Sequence, residues 1–239
     1  EHENYGITHT LQHKLVDNKM AEFLIKNYKH TCRCCNSKNL ELVVSLGNSP
    51  LANNLLDKKN EKFDIFPLEM FVCKECFNCQ LSVVVPPKIM FDKYLYLSST
   101  TDSFKKHFHT LVKKLNKENL IDKNSFVVDI GSNDGIFLEP LHELSVNCLG
   151  VEPAKNIADI ANKKNLKTIN AYFNKNIVNK ILKDFGKANL VTAFNVFAHS
   201  DNLHDIATNV ESLLDEKGTF IFEVQYLVAN MKLGIVDNI

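Results

Sequence analysis

The feature that most constrains the fold is an apolar run that ends in a turn bounded by two glycines. Phe126–Ile130 is followed by the turn Gly131–Gly135 and then by the mostly apolar residues 136–144. A short apolar run that is interrupted by glycine and followed by a longer apolar stretch predicts a strand, a tight turn and a helix. This chain therefore begins at least one strand–turn–helix unit at residue 126.

The same pattern recurs downstream and predicts an α/β fold. Four further short apolar runs follow, at Cys148–Val151, Thr168–Phe173, Leu190–Val196 and Thr219–Val224. The intervening segments are long enough for helices, as at Ala154–Asn162 and Asn202–Leu214, and Asp102–Ile121 predicts a helix before the first strand. Strands that alternate with helices form a parallel sheet through right-handed crossovers. We therefore predict a Rossmann-like α/β domain.

The turn after the first strand is a candidate nucleoside site. Glycines at Gly131 and Gly135 let the backbone approach a ligand, and the helix start behind them offers free amides. Glu152 follows about twenty residues later, at the end of the second strand, where a carboxylate can accept hydrogen bonds from two ribose hydroxyls.

The polar residues of this turn bear on the identity of the nucleoside. Asp129, Asn133 and Asp134 suit the ammonium and ribose of S-adenosylmethionine (SAM) better than the pyrophosphate of NAD. A tight structural turn without a ligand is the alternative interpretation.

Polar residues also follow the fourth predicted strand. Asn195 and His199 lie near its carboxyl end, at the edge where open α/β sheets bind ligands. We interpret Asn195 as a cofactor contact. His199 can act as an acid or a base because histidine titrates near neutral pH. A structural histidine that is satisfied by hydrogen bonds is the alternative.

Six of the seven cysteines lie in a loop-rich segment between Thr31 and Pro87. One CxxC pair is formed by Cys32 and Cys35, and two overlapping pairs are formed by Cys73, Cys76 and Cys79. Two CxxC knuckles can arrange four thiolates tetrahedrally around Zn²⁺. The segment has little apolar core, so a bound metal would be structural and would supply folding free energy.

The cysteine spacing leaves alternatives open. Cys79 can replace Cys73 as the partner of Cys76, and three cysteines at intervals of three residues are also compatible with an iron–sulfur cluster. Free buried thiols are the third interpretation. Cys148, within a predicted strand, is interpreted as a small core residue.

Charge and hydropathy argue against several classes of function. The chain balances 28 basic against 28 acidic residues, and Arg33 is its single arginine. A binder of nucleic acid or of anionic membranes typically carries a basic face. No run of about 18 apolar residues occurs, and the first thirty residues contain no signal-peptide core. Clustered cysteines suit a reducing compartment, so we expect a cytoplasmic protein that binds neither nucleic acid nor membranes.

Eight short motifs occur in a fixed order along residues 31–239. They are Cys32 with Cys35, Leu46-Gly47 with Pro50–Asn53, Val72–Cys76 followed by Gln80-Leu81, Tyr94–Ser99, Asp129–Gly135, Val151–Ala154, Asn195–His199 and Phe222–Val224. Together they resemble the zinc-containing, SAM-dependent sugar C-methyltransferases. An ordered set of this kind is more specific than any single motif.

The resemblance implies a metal site, a catalytic site and a substrate. Its zinc ligands would be Cys32, Cys35, Cys73 and Cys76. Its catalytic residues would be Tyr96 and His199, with Tyr94 as the alternative to Tyr96. The implied substrate is a nucleotide-linked 4-keto-deoxysugar, in which the carbon next to the ketone loses a proton and accepts the methyl group of SAM.

The motifs divide the chain into four segments. They are an N-terminal extension at 1–30, with a predicted amphipathic helix formed by Leu11, Leu15, Phe23, Leu24 and Tyr28, a zinc-binding module at 31–90, a helical connector at 91–124 and a SAM-binding domain at 125–239. Members of the family continue with two further strands, a His-Glu-His element and a second α/β domain that completes the sugar-nucleotide site. We therefore expect a fragment that holds the cofactor half, with an incomplete sheet and little turnover of its own.

Two other functions are compatible with the sequence. One is a zinc-module interaction protein whose degenerate α/β domain contacts protein or RNA. The other is a SAM-dependent enzyme that methylates oxygen or nitrogen. The sequence gives no prediction of the oligomeric state.

Overall fold

The computed structural model describes residues 18–53, 55, 58, 63–91 and 94–235. These residues form two compact units, divided between Pro86 and Pro87. Of the predicted N-terminal helix, Leu11 and Leu15 lie outside the described residues, and α1 (Asn18–Asn27) contains Phe23 and Leu24. Tyr28 follows α1 and instead forms an isolated antiparallel bridge with Val83. No helix in the described part of the chain is long and apolar enough to cross a membrane.

The first unit contains α1 and a three-stranded antiparallel sheet. Its strands are β1 (Leu40–Pro50), β2 (Ile65–Cys73) and β3 (Cys79–Leu81), in the order β1-β2-β3. The first residue of β1, Leu40, pairs with Cys73 at the end of β2, and Cys79 of β3 pairs with Val72. The sheet therefore brings the end of β2 and both of its neighbours to one corner of the unit.

The second unit is a five-stranded parallel sheet flanked by helices. Its strands are β4 (Phe126–Ile130), β5 (Asn147–Glu152), β6 (Thr168–Asn170), β7 (Ala188–Phe194) and β8 (Leu214–Glu223). Its helices are α2 (Pro87–Phe91), α3 (Asp102–Lys117), α4 (Leu138–Glu143), α5 (Lys155–Lys163), α6 (Lys175–Phe185), α7 (Leu203–Leu213) and α8 (Leu227–Leu233), with 3₁₀ turns at Ser98–Thr100 and Phe197–His199. The predicted Rossmann-like α/β fold is confirmed.

The strand order places a crevice beside β4. The order is β6-β5-β4-β7-β8, so the chain moves outward from β4 to β6 and then crosses to the other side of β4. Ligands bind in α/β sheets outside the carboxyl ends of the strands at such a reversal. The turn after β4 therefore lies where a ligand is expected.

Both faces of the parallel sheet are buried. Val127 and Leu190 face a cluster that includes Phe108 of α3, whereas Val128 and Val191 face a second cluster. The second cluster includes residues of α6 and α7. Helices that cover both faces explain why β4 is a continuous apolar run rather than an alternating one.

Some predicted boundaries differ from the observed ones. The helix predicted over Asp102–Ile121 ends at Lys117, because Asn119 adopts a left-handed φ of 58° that stops the helix. The strand predicted over Thr168–Phe173 ends at Asn170, the last residue that pairs with β5. Phe173 instead packs against the hydrophobic core from the following loop, so it is apolar without belonging to the strand.

Candidate functional site

Four thiols converge in the first unit. The sulfur atoms of Cys32, Cys35, Cys73 and Cys76 all lie within 4.8 Å of one another. The Cys32 and Cys76 sulfurs are 3.5 Å apart, and the Cys35 and Cys73 sulfurs are 3.6 Å apart. Tetrahedral Zn²⁺ with bonds of about 2.3 Å separates its sulfur ligands by roughly 3.8 Å. The donor set therefore fits zinc in both chemistry and spacing.

The two CxxC pairs adopt the same turn. The Cys32 carbonyl accepts a hydrogen bond from the Asn36 amide, and the Cys32 amide donates to the Ser37 carbonyl. The second turn repeats both hydrogen bonds, with Cys73 in the place of Cys32. Asn36 and Phe77, which directly follow the two pairs, have positive φ angles of 62° and 60°. This repeated geometry aims the sulfurs of each pair at one point.

The environment of the first cysteine of each pair favours the thiolate. Burial opposes ionisation of Cys32, but hydrogen bonds from the amides of Cys35 and Cys34 lower its pKa to about 6. A hydrogen bond from the Cys76 amide likewise lowers the pKa of Cys73 against the effect of burial. Thiolates are the form that binds metal.

The remaining cysteines of this unit lie outside the cluster. Cys79 directs its sulfur towards the Phe77 carbonyl, 3.9 Å away, and burial raises its pKa. Cys34 is exposed, and its amide faces the Cys32 sulfur at 3.4 Å. The four sulfurs that the fold brings together are therefore those of the set that the family resemblance implies.

Gln80 supports the first knuckle from β3, a role that spacing did not reveal. Its side-chain oxygen accepts from the Arg33 amide at 2.8 Å, and its nitrogen donates to the Thr31 carbonyl at 3.0 Å. The side chain is buried, so both hydrogen bonds replace contacts with water. The only signal for this role was the place of Gln80 among the ordered motifs.

In the second unit, the turn after β4 needs glycine at two positions. Gly131 and Gly135 have φ angles of 65° and 86°. A Cβ atom at Gly131 would collide with Val196, and one at Gly135 would collide with Leu166. Val196 follows β7, so the turn lies directly against the carboxyl end of that strand.

Two buried carboxylates lie beneath this turn. Glu152 at the end of β5 accepts hydrogen bonds from the amides of Asn133 at 3.0 Å and Ala154 at 2.8 Å. Burial raises the pKa of Glu152, and these two hydrogen bonds partly offset that rise. Asp129 accepts a hydrogen bond from the Thr192 hydroxyl at 2.7 Å, and burial raises its pKa to about 7.

The segment that carries Tyr96 lies against the same turn. Asn133 donates to the Tyr96 carbonyl at 3.2 Å and accepts from the Ser98 amide at 2.9 Å. The Ser99 hydroxyl donates to Oδ2 of Asp134. The structure therefore brings the Tyr96 segment to Asn133 and Asp134, although Tyr96 lies 37 positions before Asn133 in the sequence.

The end of β7 carries a second polar group. Asn195 adopts a positive φ of 55°, and Glu223 of β8 accepts hydrogen bonds from both its amide and its side chain. Glu223 also contacts His107 of α3, with 2.9 Å between Nε2 and Oε2. Sequence reasoning missed this pair because 116 residues separate its members.

His199 lies in the 3₁₀ turn that follows. It is exposed at the surface, yet the surrounding protein removes part of its hydration, which lowers its pKa and favours the neutral imidazole. Among the described residues, no hydrogen bond or ring contact joins the side chains of His199 and Tyr96.

The donors and acceptors around the turn fit SAM. Oδ1 of Asp134 is buried and has no hydrogen-bond partner among the described residues. Such an acceptor is costly unless a donor reaches it, and the ammonium of SAM is a donor. Glu152 provides the carboxylate for a ribose, and the glycines provide the close backbone approach.

Two family models match this chain. A model described as a "putative zinc binding domain" of methyltransferases matches residues 32–91, and a model described as a methyltransferase domain matches residues 104–233. The second match covers more than half of the chain. The chain belongs to the methyltransferase family. Zinc and SAM are therefore the metal and the cofactor of this chain, as the sequence predicts.

Similar proteins agree with this family. The chain is 34% identical over 210 residues to the C-methyltransferase NovU of Streptomyces niveus, a match that covers 87% of this chain and 50% of that protein. The chain therefore spans about half the length of this curated relative. The resemblance to zinc-containing C-methyltransferases is confirmed by the two family models and by this relative together.

Two solved structures show a partial likeness. The PH0226 protein of Pyrococcus horikoshii has a TM-score of 0.46 and 16% identity, over 62% of this chain and 63% of that one. A SAM-dependent methyltransferase of Clostridium acetobutylicum has a TM-score of 0.38 and 25% identity, over 52% of this chain and 51% of that one.

Proposed function

We propose that this chain is the cofactor-binding part of a C-methyltransferase that acts on a nucleotide-linked keto-deoxysugar. The observation that carries the proposal is the buried Glu152 carboxylate beside the turn after β4, within reach of the Asn133 amide. The similarity to the C-methyltransferase NovU supports carbon as the acceptor atom. The order of the sequence motifs supports the sugar substrate.

The residues of the turn hold the cofactor. Gly131 and Gly135 let the cofactor approach the backbone closely, and Glu152 accepts hydrogen bonds from the ribose of the cofactor. Oδ1 of Asp134 accepts a hydrogen bond from its ammonium. When bound, SAM supplies an activated methyl group. The protein contributes orientation and the transfer of a proton.

Tyr96 and His199 take part in the removal of the substrate proton. A ketone makes the proton on the neighbouring carbon acidic, and the enolate that forms needs hydrogen-bond donors at its oxygen. The Tyr96 hydroxyl is a donor of this kind, and Tyr96 lies on the segment bound to the turn. The lowered pKa of His199 keeps its imidazole neutral, so that it can accept a proton near pH 7.

The zinc has a structural role in this proposal. Four thiolates fill a tetrahedral shell, which leaves no position for water or substrate. The four clustered thiols support a reducing, cytoplasmic location, because cysteines in such compartments bind metal rather than form disulfides.

Calorimetry with S-adenosylhomocysteine (SAH) tests the cofactor site. We expect one molecule of SAH to bind each chain, and Glu152→Ala to weaken binding at least tenfold because the ribose loses its acceptor. Asp159→Asn is the matched control, since this exposed acid pairs with Lys155 on the surface of α5. If the folded chain does not respond to SAH, the proposal is wrong.

Product analysis with the full-length gene product tests the acceptor atom. We expect the new methyl group on carbon, together with solvent deuterium exchange at that carbon when a keto-sugar nucleotide is supplied without SAM. A methyl group on oxygen or nitrogen would contradict C-methylation while leaving the cofactor site intact.

A further inference from the structure

The segment that carries Tyr96 is bound through its backbone. The side chain of Asn156 donates to the Tyr94 carbonyl at 2.7 Å, and that of Asn133 donates to the Tyr96 carbonyl at 3.2 Å. The Ser98 amide donates to Asn133 at 2.9 Å. None of these three hydrogen bonds uses the phenol of a tyrosine. The segment can therefore be fixed in place while the Tyr96 hydroxyl stays available to a substrate.

Asn133 has little capacity left for a ligand. Its side-chain oxygen accepts from the amides of Ser98 and Asp134, and its side-chain nitrogen donates to Tyr96. Its own amide donates to Glu152. Asn133 thus connects the carboxylate of the cofactor site to the Tyr96 segment through two successive hydrogen bonds.

Asp134 also connects the Tyr96 segment to the turn after β4. One of its oxygens, Oδ2, accepts from the Ser99 hydroxyl and lies 3.1 Å from Nζ of Lys164. The other, Oδ1, is buried without a partner in the described part of the chain. The side chain is almost completely buried, so it is fixed between the Tyr96 segment and the cofactor turn.

We propose that Asn133, as a positioning residue, and Asp134, which also contacts the cofactor, couple cofactor binding to the placement of Tyr96. The inference rests on the proposed function, because it takes SAM to occupy the turn after β4. A cofactor that orders the turn then also orders the Tyr96 segment. Thermodynamic linkage makes the effect reciprocal: the factor by which the cofactor favours the ordered segment is also the factor by which the ordered segment strengthens cofactor binding. A variant that releases the segment should therefore bind the cofactor more weakly.

Two adjacent serines provide a matched test. Ser99→Ala removes the hydroxyl that bonds to Asp134. Ser98→Ala leaves the connection to Asn133 intact, because Ser98 makes it through its backbone amide. Amide hydrogen exchange of residues 95–100 and SAH affinity are measured for both variants and for the wild type. Melting temperatures confirm that each variant is folded.

We expect SAH to slow exchange in residues 95–100 of the wild type and of Ser98→Ala. Ser99→Ala should exchange faster there without ligand and bind SAH roughly fivefold or more weakly. Ser99→Thr, which keeps a hydroxyl, should restore both properties.

Two results would overturn the coupling, and they are distinguishable. If Ser99→Ala matches Ser98→Ala in exchange and in SAH affinity, the coupling is wrong while the cofactor site stands. If the folded wild type does not bind SAH, both the coupling and the proposed function are wrong.

Discussion

The two units of this protein are stabilised by different interactions. The buried apolar residues of the first unit are few, and two of them are the metal-ligand candidates Cys32 and Cys73. In the second unit, apolar side chains cover both faces of a five-stranded sheet. We infer from this comparison that the first unit depends on its metal and the second on apolar burial, and each dependence can be tested separately.

Removal of one zinc ligand should have the largest effect. We expect Cys73→Ser to abolish zinc binding and to unfold the first unit, since structural zinc contributes on the order of 10 kcal/mol of folding free energy. The second unit should keep its melting transition. Metal analysis and proteolysis within residues 31–86 measure the two effects.

Cys34→Ser is the control for this prediction, because Cys34 is exposed and lies outside the four-sulfur cluster. Retention of zinc and of protease resistance in Cys73→Ser would show that the first unit does not depend on the metal. Iron in place of zinc in the wild type would show that the cluster is not a zinc site.

A substitution in the core of the second unit tests its dependence on apolar burial. Leu149 of β5 is completely buried. Leu149→Ala should lower the free energy of unfolding by about 4 kcal/mol, because it removes apolar contacts and leaves a cavity. Urea unfolding measures the loss, and metal analysis should find the zinc content unchanged. If Leu149→Ala also lost its zinc, the stability of the first unit would depend on the core of the second.

These two units also differ in how far the sequence predicts them. All five parallel strands follow from short apolar runs, because both faces of the sheet are buried. Boundaries were less accurate where a polar residue decided them, as at Asn119, whose left-handed backbone ends α3. The CxxC spacing predicts the knuckles, but it cannot choose between Cys73 and Cys79, since that choice depends on the pairing of β2 with β3.

The candidate site was predicted as a list of residues rather than as a network. Glycines and carboxylates at strand ends are visible in a sequence. The hydrogen bonds that join Asn133 to Tyr96, or Glu223 to His107, link residues that are distant along the chain. Periodicity reports only local structure, so contacts of this kind need the fold.

A buried carboxylate should give the second unit a pH dependence of its own. Burial raises the pKa of Asp129 to about 7, so the neutral form is favoured in the folded state. The contribution of Asp129 to the free energy of unfolding is therefore fully present below its unfolded pKa of about 4. This contribution is lost as the pH rises through about 7. The loss is on the order of 4 kcal/mol.

Asp129→Asn tests this pH dependence, because the amide oxygen can still accept from Thr192. We expect the wild type to lose stability relative to the variant between pH 4 and pH 8, as measured by urea unfolding at each pH. If the two proteins show parallel pH curves, Asp129 is ionised in the folded state and the prediction is wrong.

The smallest effect is expected at the surface of the second unit, where α3 offers two similar ion pairs. His107 contacts Glu223 at 2.9 Å and His109 contacts Glu143 at 3.5 Å, and all four side chains are at least one-third exposed. Exposed pairs contribute little because water screens them, so Glu223→Gln and Glu143→Gln should each change the free energy of unfolding by less than about 1 kcal/mol. Only Glu223 also bonds to Asn195, so only Glu223→Gln should shift the NMR signals at the end of β7. A loss well above this limit for either variant would show that surface charges, and not the apolar core alone, stabilise the second unit.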